Sequence, residues 1–282
     1  FTFIFNRSMN LSGGSWMWSA SLRYLFSLPM LAVMVWRKGE LEGVQSAIKK
    51  APLTWLVWST VGFGLFYGPL SLASIYGESW FVAATWQITI LAGLLLTPLF
   101  GQKVPGKQLL MTLVILLGII LIQIPYFGSG LGSGVVRASL LILLAAFAYP
   151  LGNRKMMVHC KHDQLSTTQR VFGMTLMSTP FWLLLSVFAG ADAGLPSGGQ
   201  ILQSLIVAVF SGVVATLLFF EATNLVKHNH KQLEATQAGE VLFTLLGGCL
   251  FLGDSLPSLL GFLGIAIVTI GIIGNSLLIG SD

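Results

Sequence analysis

Charge is what this sequence has least of: Asp, Glu, Lys and Arg make up 9% of its 282 residues, where a soluble globular domain carries roughly 25%. With hydrophobic residues at 55% and a mean hydropathy of +0.83, a soluble domain is excluded and a polytopic membrane protein remains. Cysteine is nearly absent. The two present, Cys160 in a basic loop and Cys249 in an apolar run, are too differently placed for a disulfide framework and read as free thiols. Histidine is scarce as well. His159, Cys160, His162 and Asp163, with His228 and His230 on the same side, are metal-ligand residue types, but their spacing matches no zinc signature; neither a metal nor a cofactor is expected. Also missing are GxxxxGK[ST], HExxH, GxSxG and any cluster of deep Asp, His and Ser residues. ATP use and enzymatic chemistry are therefore not expected. No cleavable signal is visible, and the chain opens at Phe1 inside an apolar run, which reads as a first helix truncated at its N-terminus.

What is abundant is long apolar runs. After a stump at Phe1 to Phe5 they fall at Ser15 to Trp36, Pro52 to Tyr76, Ser79 to Phe100 and Lys107 to Pro125. A second group follows at Val136 to Met157, Ser166 to Gly190, Gln200 to Val226, Lys231 to Phe251 and Pro257 to Ile279. Each approaches the ~20 residues a helix needs to cross ~30 Å of hydrocarbon, so an all-α integral membrane protein of ten helices is expected. The connections carry Gly, Pro and Ser and are too short for a soluble catalytic domain. The net charge of +5 signals no nucleic-acid partner, because the basic residues lie in alternate short loops: Arg37, Lys38, Lys49 and Lys50, then Lys103 and Lys107, then Arg154, Lys155 and Lys161, then Lys227 and Lys231. The opposite loops offer only Arg7 and Arg137. By the positive-inside rule the missing start and the C-terminus are both cytoplasmic, in a plasma or inner membrane.

The chain repeats itself. Asn6-Arg7-Ser8-Met9 recurs 147 residues later as Asn153-Arg154-Lys155-Met156, and Arg23 recurs as Arg170 at the same offset. Gly101 and Pro105 match Gly253 and Pro257, at an offset of 152. Five spans per half is odd, so residues 1–125 and 136–279 read as two five-helix repeats of opposite orientation, a 5+5 inverted-topology repeat.

On Asn6-Arg7-Ser8-Met9, Gly13-Gly14-Ser15-Trp16 to Trp18, Arg23, the turn Phe100-Gly101-Gln102-Lys103-Val104-Pro105 and its counterpart Phe251 to Pro257, the sequence resembles the drug/metabolite transporter superfamily. Within it the resemblance is to the EamA-like, multidrug resistance efflux branch. It implies a ten-helix inverted repeat with a central cavity used for alternating access. Gln102 and Lys103 stand where many such chains carry an acid after the glycine, so the first-half turn is the weaker match.

The residues with chemistry to offer are few. Glu240 lies about nine residues into its helix, ~13 Å deep, and reads as a proton or cation site or as the partner of Arg23 or Arg170. Gln237 shares its face. Glu221 needs a partner or a proton, and structural pairing is the plainer reading; Glu234 reads as a solvated helix-end charge. Thr85, Trp86, Gln87, Tyr67 and Tyr149 sit at mid-span depth, where hydroxyls and aromatic faces can line a ligand cavity or simply pack between helices. Arg23, ~13 Å deep, reads as a scaffold bonded to carbonyls of a broken helix or as an anion site. Trp16, Trp18, Trp36, Trp55 and Trp80 lie near span ends and suggest interfacial belts. Pro29, Pro69, Pro98 and Pro180 are expected to kink their spans. Gly261, Gly264, Gly271 and Gly274 form a small-residue stripe for close packing, within the chain or in a homodimer.

Together these readings describe a secondary active transporter. The family resemblance and Glu240 suggest that it exports small organic molecules, drug-like or cationic and amphipathic, against proton entry. A metabolite or amino-acid exporter, with Arg23 binding a carboxylate, is the alternative within transport; an integral-membrane enzyme is the alternative outside it.

Overall fold

The computed structural model describes residues 1–127, 132–225 and 231–278, and every regular element among them is helical. The side chains of 127, 223–225, 231–237 and 278 lie outside that description, and with them Glu234 and Gln237. In chain order the helices are α1 (Thr2–Leu11), α2 (Trp16–Arg37), α3 (Leu41–Lys50), α4 (Pro52–Ser59), α5 (Leu65–Tyr76), α6 (Ser79–Trp86), α7 (Ile88–Leu95), α8 (Gly106–Phe127), α9 (Gly132–His162), α10 (Thr167–Ala193), α11 (Gly198–Val207), α12 (Thr216–Leu225), α13 (Lys231–Gly247) and α14 (Leu259–Leu278). π-helical segments at Thr60–Gly64 and Ala208–Ala215 join α4 to α5 and α11 to α12; a third, Gly248–Leu252, extends α13. Seven helical stretches are long and apolar enough to cross a membrane, and two apolar ones, Ser79–Leu95 and Ala238–Leu252, are shorter. The chain is a multi-pass, all-helical integral membrane protein.

Two expectations change. The apolar run from Ser79 is not one helix: it breaks at Gln87, whose N–H bonds to the carbonyl of Ala84 three residues back, between α6 and α7. Pro29, Pro69 and Pro180, in contrast, lie inside α2, α5 and α10 without ending them. The basic connection after Arg37 contains a helix, α3, with Val44 and Ala47 buried, Glu42 in its first turn and Lys49 and Lys50 in its last, charges that complement the helix dipole. Its pattern was readable, with Leu41, Val44 and Ile48 on one face.

The chain divides into two compact units, each drawing one stretch from each half of the sequence. Unit 1 is Phe1–Ser71 with Ala148–Glu221; unit 2 is Leu72–Phe147 with Ala222–Asp282. In unit 1, α2 packs along α10, with Tyr24 stacked on Trp182, while its Ser19 and Ser27 face Gln200 and the carbonyl of Ala208. Unit 1 has an apolar core of Leu31, Val35, Val44, Val171, Phe172, Val213 and Phe220. α10 begins with a capping box, Ser166 and Gln169 bonding reciprocally, as its Ser-Thr-Thr-Gln start allows.

In unit 2 the most extensive contact is between α8 and α14. A Cβ at Gly118 would stand 2.7 Å from the carbonyl of Gly264, and one at Gly264 would stand 2.6 Å from the carbonyl of Gly118. One at Gly271 would meet Ile115. Three glycines of the α14 stripe, Gly264, Gly271 and Gly274, therefore lie against α8, and Gly261 lies against Pro257 and Trp80, so packing within the chain accounts for the stripe. α8 buries Ile115, Ile119 and Ile122 and leaves Leu113, Leu117, Ile120 and Ile124 exposed, the two faces of a helix between protein and lipid. The turns matched by sequence also match in backbone: Gly101 and Gly253 both cap their helical segments with positive φ, 74° and 68°.

Candidate transport site

In unit 2, the break at Gln87 and the middle of α13 bring two predicted residues together: Gln87 Nε2 donates to Glu240 Oε2 at 3.4 Å and to the carbonyl of Ala83 at 3.2 Å. Glu240 is exposed while Ala238, Val241 and Thr244 around it are buried. Gln87 Oε1 and Thr85 Oγ1 are both buried with no hydrogen-bond partner among the described residues. Two acceptors and an open carboxylate in one membrane unit, served by one long amide bond, can take a proton or a cation. Trp86 is largely buried beside them, and Thr89 Oγ1 donates to the carbonyl of Ala146 at 3.2 Å. The repeat offset places Ile88 opposite Glu240, yet its partner is the neighbouring Gln87, displaced there by the helix break.

In unit 1, Arg23 on α2 is only 7% exposed. Its guanidinium carbon stands 4.1 Å from the centroid of the Tyr67 ring and 5.6 Å from that of Tyr24, and Nη2 donates to the carbonyl of Ser211 at 3.3 Å. Ser211 belongs to the π-helical segment, whose widened turn leaves that carbonyl to side chains: Thr216 Oγ1 also donates to it, at 2.8 Å. Tyr67 OH donates to Asn6 Oδ1 at 3.0 Å, and Tyr24 stacks on Trp182 with centroids 4.4 Å apart. Tyr149, on α9, packs on Phe66 at 4.7 Å, and its carbonyl accepts from Asn153 Nδ2 at 2.8 Å.

Arg170, 147 residues after Arg23, is buried on α10 with its guanidinium 4.8 Å from the centroid of Phe220. Glu221, next to that ring, is exposed and accepts a 2.6 Å hydrogen bond from Thr167 Oγ1, one helical turn before Arg170. Neither Arg23 nor Arg170 forms an ion pair within 4 Å among the described residues. Two ion pairs lie in the basic region: Lys50 Nζ is 3.7 Å from Asp163, and His159 Nε2 is 4.0 Å from it.

Other predictions are corrected. Trp36 is exposed, as a belt residue is, but Trp55 and Trp80 are fully buried. Trp55 fills the space above Gly173, where a Cβ would collide with its ring, and Trp80 Nε1 donates to the carbonyl of Ser255 at 3.0 Å. The pair that sequence reading missed is Ser79 and Asp254. Asp254 Oδ2 accepts from the Ser79 N–H at 2.9 Å and from Ser79 Oγ, and Glu78 Oε1 accepts from the Ser255 N–H at 3.0 Å. These three hydrogen bonds, to carboxylates on opposite sides, tie the start of α6 to the turn after α13. An acid after a helix-capping glycine, next to a helix N-terminus, was the available signal.

This combination of membrane-length helices and a mid-helix glutamate agrees with a comparison against known families. Residues 1–280 match the family described as "EmrE: Putative multidrug resistance efflux transporter". The chain belongs to this family. Membership makes it a membrane transporter, with a small-molecule substrate and the lipid bilayer as its medium. It is 46% identical over 286 residues to "Uncharacterized protein YjlA" of Bacillus subtilis (strain 168), covering 96% of this chain and 88% of that protein. It is also 42% identical over 265 residues to an "Uncharacterized 42.1 kDa protein in intracellular alkaline protease 3'region" of Shouchella clausii, covering 89% of this chain and 69% of that one.

Proposed function

We propose that this efflux-family member is a secondary active transporter, not an enzyme, that exports drug-like or cationic amphipathic molecules from the cell by alternating access, driven by proton entry at Glu240. The Gln87–Glu240 contact carries this reading. An ionised carboxylate exposed on a membrane helix is costly, and a bound proton or cation removes that cost. Exchange of one for the other at the same oxygen atoms couples their movements. Gln237, one turn away on α13, and Thr85 and Trp86 on α6 are assigned to the same site; Tyr67, Tyr149 and Glu221 are assigned to the cargo path. Support for a 5+5 inverted repeat over residues 1–125 and 136–279 comes from the pairing of α2 with α10 and α8 with α14, and from π-helical segments in both the Pro52–Tyr76 and Gly198–Ala222 spans. Inverted repeats are the common frame for alternating access. The basic loops support cytoplasmic termini in a plasma membrane.

The test is uptake of a labelled amphipathic cation into proteoliposomes under an imposed pH gradient. Gradient-driven accumulation that Glu240→Gln abolishes is expected. Accumulation indifferent to the gradient, or normal transport by Glu240→Gln, overturns proton coupling at Glu240.

A further inference from the structure

The two buried arginines of unit 1 are built alike but are not equally neutralised. Leu65-Phe66-Tyr67-Gly68 corresponds to Leu218-Phe219-Phe220-Glu221 at an offset of 153, and in each set the third residue is the aromatic ring under the arginine: Tyr67 under Arg23, Phe220 under Arg170. The fourth position differs. Beside Phe220 stands Glu221, within electrostatic range of Arg170; beside Tyr67 stands Gly68, and Arg23 has no carboxylate within 4 Å among the described residues. Two donors on the same tyrosine are also unfilled. Arg23 Nε, like Arg170 Nε, is buried with no hydrogen-bond partner among the described residues, and beside Arg23 so is Asn6 Nδ2, whose Oδ1 receives the Tyr67 hydroxyl. A guanidinium and an amide at one aromatic ring, with a charge unbalanced in the interior of a membrane protein, are matched by one chemistry: an acceptor group carrying a single negative charge.

We propose that Arg23, Asn6 and Tyr67 form a binding site for the carboxylate of a small organic molecule, with Arg23 and Asn6 donating to its oxygens and Tyr67 underlying it. The guanidinium fork suits a carboxylate better than a spherical ion, and the ring offers an apolar floor to an attached hydrocarbon. The inference rests on the transport reading only in taking that molecule to be cargo, so cargo of this protein includes carboxylate-bearing compounds.

Titration calorimetry of the detergent-purified full chain with benzoate, and with neutral benzamide of the same shape, tests it. Saturable binding of benzoate but not benzamide is expected, weakened by about tenfold or more in Arg23→Gln. Gly68→Glu supplies the internal acid that Glu221 gives Arg170, and its Cβ fits, 3.7 Å from the Phe181 ring. It is expected to weaken benzoate binding while isosteric, neutral Gly68→Gln keeps it, so the test survives if Arg23→Gln does not fold. Equal binding of benzoate and benzamide, or wild-type benzoate affinity in either Arg23→Gln or Gly68→Glu, overturns the site. Gradient-driven cation transport without benzoate binding overturns this site alone, whereas benzoate binding in a protein that transports nothing overturns the transport reading and leaves the site.

Discussion

Gly152 is where two segments of unit 1 come closest, and adding one methyl there should measurably loosen it. Gly152 lies on α9 against the π-helical segment of Thr60–Gly64; a Cβ would overlap the backbone N and Cα of Gly62 and stand 2.9 Å from the carbonyl of Trp58. Restoring ordinary contact requires the helices to part by roughly 1 Å. Overpacking of this kind costs about 1–3 kcal/mol, and stretching the Asn153 Nδ2 bond to the Gly62 carbonyl, already 3.4 Å, adds up to about 1 kcal/mol. Better helix propensity returns about 1 kcal/mol, leaving a net loss of up to about 3 kcal/mol for Gly152→Ala, about 1.5 kcal/mol at mid-range. At roughly 2–4 °C per kcal/mol, the melting temperature in detergent should fall by several degrees. Gly190→Ala is the matched control: its Cβ would sit 3.9 Å from the Trp18 ring, so only the propensity gain applies and the protein should melt at or slightly above wild type. If Gly152→Ala melts no lower than Gly190→Ala, the packing argument fails.

Asp254→Ala removes the acceptor from both the N–H and the hydroxyl of Ser79 and should lower stability by about 1.5–3 kcal/mol, seen as a lower melting temperature; Asp254→Asn, which keeps the shape, should cost less. Thr167→Val strips Glu221 of its short hydrogen bond and, because Glu221 is exposed, should cost about 1 kcal/mol or less in the same assay. Gln87→Leu should leave expression and melting close to wild type but depress gradient-driven cation uptake, since it removes the only side-chain donor described for the Glu240 carboxylate; unchanged uptake would separate Gln87 from the site.

Element positions were largely legible because a bilayer imposes one length on every span: Pro52 to Tyr76 was read to the residue, and α2, α8, α10 and α14 to within a few. Breaks inside spans were only partly legible. Pro98 lies in the 3-10 turn Thr97–Phe100 that follows α7, but Pro29, Pro69 and Pro180 are carried within helices, whereas Gln87, with no unusual propensity, ends α6. A π turn leaves no compositional mark, since it changes the hydrogen-bond register and not the residues that form it. At the site, Gln87 and Glu240 were named separately from depth, but their contact depends on the break, so only coordinates join them. For Arg23, the sequence posed the choice between scaffold and anion site. Its bond to Ser211 supplies a scaffold contact, and its unfilled Nε leaves the second role available.

The π-helical segments also bear on how a membrane span makes room for polar contacts. The Pro52–Tyr76 and Gly198–Ala222 spans have the same length, 25 residues, and hold π-helical segments of five and eight residues. A wider turn shifts the backbone hydrogen-bond register without a proline or a break in the span, and so offers main-chain acceptors to side chains inside the bilayer. At Ser211 that acceptor receives both Thr216 and Arg23, so a buried cation settles on main chain and not on an acid.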